Sequence, residues 1–204
     1  MDVLDNYKKA WDNQPEETEK VSKIDIYKMA HSRSSSIVKW IFIIGVLEFI
    51  LLASFSLLFD DTNVLKEYKK IGIPGFYKLI NIFSFLIILY FLVKFYLNYK
   101  AISVVDSTKV LMQKILKTRK TVRNYVIVNL IFAAISIIIL VSAEINFKID
   151  TLTTTQMWVT IGASILVTGF FLGLMYGLYQ LLYGILLRKL NRNYKELSKL
   201  AELN

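Results

Sequence analysis

The sequence predicts an all-α integral membrane protein with four transmembrane helices, helical cytoplasmic extensions and both termini inside. Three observations predict it. The chain is 55% apolar over 204 residues with only two prolines, and its apolar residues gather in four long runs instead of spreading as a soluble core does. Each run is near or above the roughly 20 residues needed to cross about 30 Å of hydrocarbon. The Lys and Arg residues lie mostly on one side of those runs.

Residues 1–36 read as cytoplasmic amphipathic helices. Val3, Leu4, Tyr7 and Trp11 share one face of a short helix that Asp2 can cap and Pro15 stops. A helix of about ten residues is marginal alone in water. Its apolar face must therefore lie on its own bundle, on the membrane surface or on a cytoplasmic protein partner. A second helix begins at Ser22 with Asp25 in the capping-box position and meets no breaker before the first span. His31 has no cysteine and no second histidine to complete a ligand set, so it reads as an ordinary exposed residue.

Residues 37–187 read as a four-helix transmembrane bundle. The first span, 37–59, holds Lys39 at its start and Glu48 near its middle. It is too long for a signal-peptide core and follows a polar, acid-rich stretch, so it stays as an anchor. The second span, 79–97, is entered through Pro74-Gly75 and broken by Lys94. A connection at 98–124 lacks Gly and Pro, and Val104, Thr108, Leu111 and Ile115 recur along it at helical spacing. The third span, 125–143, and the fourth, 157–187, carry no charge. The 188–204 tail is a helix with an apolar seam at Leu190, Tyr194, Leu197 and Ala201. The second and fourth helices thus run past the bilayer and form a small helical cap.

Orientation follows from the basic residues. Residues 1–39 and 98–124 carry seven Lys or Arg each and 188–204 carry five, against four in 60–78 and one in 144–156. The formal net charge of +9 therefore gathers on the side of the termini, where it sets topology and attracts anionic lipid heads. No nucleic-acid recognition module accompanies it. Trp40, Tyr99, Tyr125 and Trp158 fall at the expected interfaces, where amphipathic rings anchor.

Glu48 is the intramembrane acid. A bare carboxylate near the bilayer centre costs on the order of 2.5–3.5 kcal/mol, so it should face the bundle, neutral or paired. Counting depth along the runs offers Ser136, Thr168 and Tyr90 as partners, with Ser84 and Asn129 further off. Lys94 is expected to snorkel outward. Glu48 then reads as polar glue fixing helix rotation, or as a proton or ion site. Gly169, Gly173 and Gly177, four residues apart, make a helix-packing groove that fits a helix of the same bundle, a second copy of the chain, or a ligand crevice. Tyr176, Tyr179 and Tyr183, with Gln180, read as interfacial anchors on a long, tilted helix.

No catalytic motif appears: no paired carboxylates, nucleophile elbow, phosphate-cradling loop or metal cluster. With no cysteine, structural zinc, iron–sulfur clusters and disulfides are excluded, and no cofactor is implied.

The segments "LDNYKKAW" and "DIYKMAHSRSSSIVKWIFIIGVLEF" resemble a set of uncharacterised four-helix inner-membrane proteins of Bacteroidota, especially flavobacteria. The likeness is clearest over residues 1–50 and implies a Gram-negative inner membrane. Such sequences sometimes carry a carotene monooxygenase label, but those enzymes hold iron with four histidines and only His31 stands here. Two functions remain in view. One is a non-catalytic inner-membrane protein whose cytoplasmic cap binds a protein partner as regulator or scaffold. The other is a small oligomeric transporter or channel using Glu48. The expected partners are the lipid bilayer, a cytoplasmic protein and a second copy of the chain, with no nucleic acid.

Overall fold

A computed structural model of the chain describes residues 22–58, 61–103 and 107–202. The expected amphipathic face of Val3, Leu4, Tyr7 and Trp11 lies outside the described residues. Among those residues every element is helical: α1 (Lys23–Leu58), α2 (Thr62–Lys70), α3 (Pro74–Ser103), α4 (Thr108–Phe147), α5 (Thr154–Tyr179) and α6 (Ile185–Glu202). A single π-turn at Gln180–Gly184 joins α5 to α6 into one rod. That rod, α1, α3 and α4 are each long and apolar enough to cross a membrane; α3, α4 and the rod contain the second, third and fourth expected spans, and α1 covers the first as far as Leu58.

Local chemistry sets the helix ends. Ser22 Oγ accepts from the Ile24 amide at 3.3 Å, so α1 starts where its capping residue stands. It then runs unbroken through Ser34–Ser36. Gly72, at φ +80°, makes the turn out of α2 that an L side chain resists, and Pro74 opens α3 at a position where a missing N–H costs nothing. Ser107 caps α4, and Thr153 with Gln156 forms a reciprocal capping box on α5.

The rods alternate in direction, with α1 packed on α3 and α6, and α4 packed on α3, α5 and α6. One end, called here the capped end, carries the start of α1, the α3–α4 connection and α6. Its interior is a cluster of Ala30, Val38, Ile102, Leu111, Ile115, Leu190, Leu197 and Leu200. The helices at this end form a cap on the predicted seam residues Leu111, Ile115, Leu190 and Leu197, but Leu111 and Ile115 belong to α4, which holds the third span, and not to an extension of the second helix. At the last turn Leu200 takes the inward place and Ala201 is exposed. Two polar bonds lock the cap across long sequence separations. Asn193 Nδ2 donates to Ser34 Oγ at 3.1 Å, both side chains buried. His31 Nε2 donates to the Ile102 carbonyl at 2.8 Å and stacks on Tyr27. His31 is therefore half-buried and bonded, not the free surface residue expected: the last turn of α3 leaves carbonyls without helical partners, and the imidazole supplies one donor.

Burial stops abruptly toward the other end. In α4 the last buried residue is Tyr125, in α5 only Tyr179 is buried, and in α3 the buried set begins at Ile88. Beyond that level Ile131, Ile135 and Ile138 on α4 and Ile165, Leu166 and Phe170 on α5 are all more than half exposed. Soluble monomers do not display contiguous apolar surface of this extent, whereas a bilayer solvates it.

Candidate functional site

The second buried cluster sits where the apolar halves of the rods meet the cap: Ile41, Phe91, Phe95, Val122, Tyr125, Tyr179 and Tyr183. It surrounds Glu48. Tyr179 donates to Glu48 Oε1 at 3.2 Å and Tyr183 donates to Oε2 at 3.1 Å. Both carboxylate oxygens of α1 are thus held by phenols from the last rod. Tyr125 of α4 stands edge-on to both phenols, with ring centroids 5.7 and 5.8 Å away. Its hydroxyl is buried without a hydrogen bond of its own. Phe91 and Phe95 of α3 close the far side, 5.2 and 5.4 Å from the Tyr125 ring. Edge-to-face contacts of this kind add to the burial of the rings themselves. All four rods contribute to this layer.

Two local features bring the groups together. Gly45, one turn before Glu48, lets α1 approach α3: a Cβ there would stand 3.1 Å from Phe95 Cδ2. The π-turn begins directly after Tyr179 and contains Tyr183. Such a turn inserts one residue into the hydrogen-bond ladder and rotates the helix face below it, and it is frequent at functional sites. Inside it, the far end of the Gln180 side chain folds over Gly184, 2.7–2.9 Å from where a Cβ would stand.

The predicted partners of Glu48 are therefore replaced. Tyr90 is exposed, and Lys94 Nζ lies 5.4 Å over its ring, one turn back from the capped end, instead of reaching toward that end. Ser136 and Thr168 are half-buried and neither bonds Glu48. Asn129 donates instead to the Tyr125 carbonyl at 2.8 Å. The reason is register. Depth counting centred each run independently, but α4 continues about 33 Å beyond Tyr125, while α1 continues only about 15 Å beyond Glu48. Glu48 therefore meets the capped ends of the last two runs, where Tyr179 and Tyr183 stand. Those tyrosines, read from sequence as anchors, are its donors.

The glycine seam is also not filled. Gly169, Gly173 and Gly177 have nothing within 4 Å of where a Cβ would stand, so among the described residues they pack against no neighbouring helix. α5 leans on α4 by another face.

Behind the tyrosines a groove of about 690 Å³ opens between α4 and the α5–α6 rod, with Tyr179 and Tyr183 in its wall and Arg119 and Arg188 toward its capped end. Among the described residues no group of three or more His, Cys, Asp or Glu side chains could hold a metal ion. The layer thus offers one carboxylate fixed by two phenols, able to pin helix rotation or to hold a proton.

A family described as Domain of unknown function (DUF8845) matches residues 24–202. No curated protein and no solved structure matches the chain.

Proposed function

The chain belongs to that DUF8845 family, and from its sequence and geometry we propose a non-catalytic protein of the bacterial inner membrane. It crosses the bilayer four times with both termini in the cytoplasm, and its helical cap binds a cytoplasmic protein partner as regulator or scaffold. One observation carries this reading: the capped end is a built structure, with its own apolar interior and the buried Asn193–Ser34 bond. A mere set of inter-helix loops needs no such interior. The excess of Lys and Arg at this end supports the cytoplasmic assignment, and the resemblance of residues 1–50 to flavobacterial sequences supports the inner membrane.

The test is co-purification in mild detergent from a carboxyl-terminal tag, wild type against Tyr7→Ala/Trp11→Ala. The expected result is a cytoplasmic protein that is lost in the double variant and survives Glu48→Gln. Recovery of nothing but further copies of the chain would end the partner reading.

The transporter or channel reading draws on a separate observation, that the groove reaches the two phenols holding Glu48. Ion flux in proteoliposomes that disappears in a folded Glu48→Gln variant would favour it.

A further inference from the structure

The groove between α4 and the α5–α6 rod is graded along its length. At the capped end its walls carry four cations: Arg119, Lys120 and Arg123 from α4, and Arg188 from α6. Toward the loop end the same stripe of α4 continues as Val126, Ile127 and Leu130, facing Tyr176 across the groove. Helical spacing produces both walls. Positions 119, 123, 126–127 and 130 recur every three to four residues on α4, and positions 176, 180, 184, 188 and 191 do so on the antiparallel rod. Gln180 and Asn191 add amide groups to the wall.

Among the described residues the charge there has no counter-charge. No carboxylate lines the groove among the described residues. At this end Glu196 pairs instead with Arg33 and Arg192. Among the described residues Arg188 reaches only the Gly184 carbonyl, at 3.4 Å. Four like charges gathered in one cleft repel each other unless an anion joins them. The cleft volume of about 690 Å³ is that of a ligand site, and its apolar half lies level with surface already suited to hydrocarbon.

We propose that this groove is a binding site for an anionic phospholipid, whose phosphate sits among Arg119, Arg123 and Arg188 and whose acyl chain lies along Ile127, Leu130 and Tyr176. A ligand with charge at one end and hydrocarbon at the other matches both halves, whereas a free anion uses only the first. Guanidinium groups suit phosphate because they donate in a planar fork, and basic pockets between helices on the cytoplasmic side are a known means of holding lipid heads. Because Tyr179 and Tyr183 line the groove and hold Glu48, a bound lipid would brace the central layer from outside.

The inference rests on the membrane reading above, and the experiment separates the two. Carbonate extraction first asks whether the full chain is integral: release into the soluble fraction defeats the membrane reading itself. The detergent-purified chain is then exchanged into micelles containing phosphatidylglycerol or phosphatidylcholine with matched acyl chains, and retained lipid is read by native mass spectrometry. Expected is preferential retention of phosphatidylglycerol, weakened at least about tenfold in R119Q/R123Q/R188Q. The equally discharged K189Q/K195Q/K199Q, altered outside the groove, retains it. Ile127→Trp, which fills the apolar half and leaves every cation, also lowers retention, so a misfolded triple variant does not decide the matter.

Equal retention of the two lipids overturns the proposal, as does equal loss in both triple variants. Displacement by millimolar inorganic phosphate assigns the groove to a free anion. Carbodiimide cross-links from Lys120 to the acids of residues 1–21, with no lipid retained, assign it to the chain's own amino-terminal segment.

Discussion

Glu48 accepts from two phenols at once, so its neighbours and its own replacement have different consequences. Tyr179→Phe and Tyr183→Phe each remove one donor and leave the rings packed, and each should cost about 0.5–1.5 kcal/mol. Glu48→Gln keeps an acceptor for one hydroxyl. Glu48→Leu leaves both phenols without a partner and should destabilise more than Glu48→Gln by about 1–2 kcal/mol. Thermal unfolding in detergent ranks them, and a Leu variant as stable as the Gln variant would show that the bonds hold nothing. The three groups share one network, so the single effects should not add. His31→Phe preserves the stack on Tyr27 but removes the donor to the Ile102 carbonyl. A loss of about 1 kcal/mol is expected, read by the same melts. The sequence displayed Glu48 as an anomaly needing a partner. It concealed which partner, because Tyr179 and Tyr183 are 131 and 135 residues away and look like any interfacial tyrosines.

Helices carry their instructions unevenly. Their ends were readable in part. Ser22 and Pro74 stand where the chain starts a helix, since capping is a matter of neighbouring residues. The pattern of 98–124, without Gly or Pro, gave no sign of the new start at Ser107, and the Thr153 cap was equally unmarked. Glycines were not readable. Gly45 and Gly184 both exclude a side chain, but for different obstacles. At Gly45 the obstacle is Phe95, 1% exposed and unable to yield, so Gly45→Ala should lower stability by about 1–3 kcal/mol. At Gly184 it is the far end of the exposed Gln180 side chain, so Gly184→Ala should stay within about 0.5 kcal/mol of wild type. Comparative melts check the contrast, and similar losses at both positions would contradict it. The Gly169–Gly173–Gly177 stripe carries the familiar spacing for close packing and meets nothing among the described residues. Gly173→Leu should therefore leave monomer stability unchanged within about 0.5 kcal/mol. If a second copy docks on that stripe, the variant also shifts the particle from dimer to monomer on size exclusion with light scattering.

Across the described residues, burial divides the fold into two halves. The capped end has an interior and buried polar bonds, as a protein folded in water has. The opposite half leaves its Ile, Leu and Phe side chains outward, which suits rods solvated by hydrocarbon, where apolar burial between helices gains little. The proposed topology can be checked directly because the chain has no cysteine. Lys148→Cys, between α4 and α5, should react with an impermeant maleimide in intact spheroplasts. Lys195→Cys, on α6, should react only after permeabilisation. The reverse pattern would invert the assignment.

Four apolar rods, their polarity of charge, the starts of α1 and α3 and much of the seam of the cap follow from the sequence, because each depends on composition or on residues a few positions apart. The level at which the rods meet does not. It depends on how far each overshoots the others, a sum over packing contacts between distant segments that no single run encodes. That level determines that Glu48 faces Tyr179 and Tyr183 and that His31 reaches the end of α3. It also determines that Arg119 and Arg188 share a cleft and that the glycine stripe faces outward. These pairings arise from antiparallel helices docking in one register, and only the folded chain specifies it.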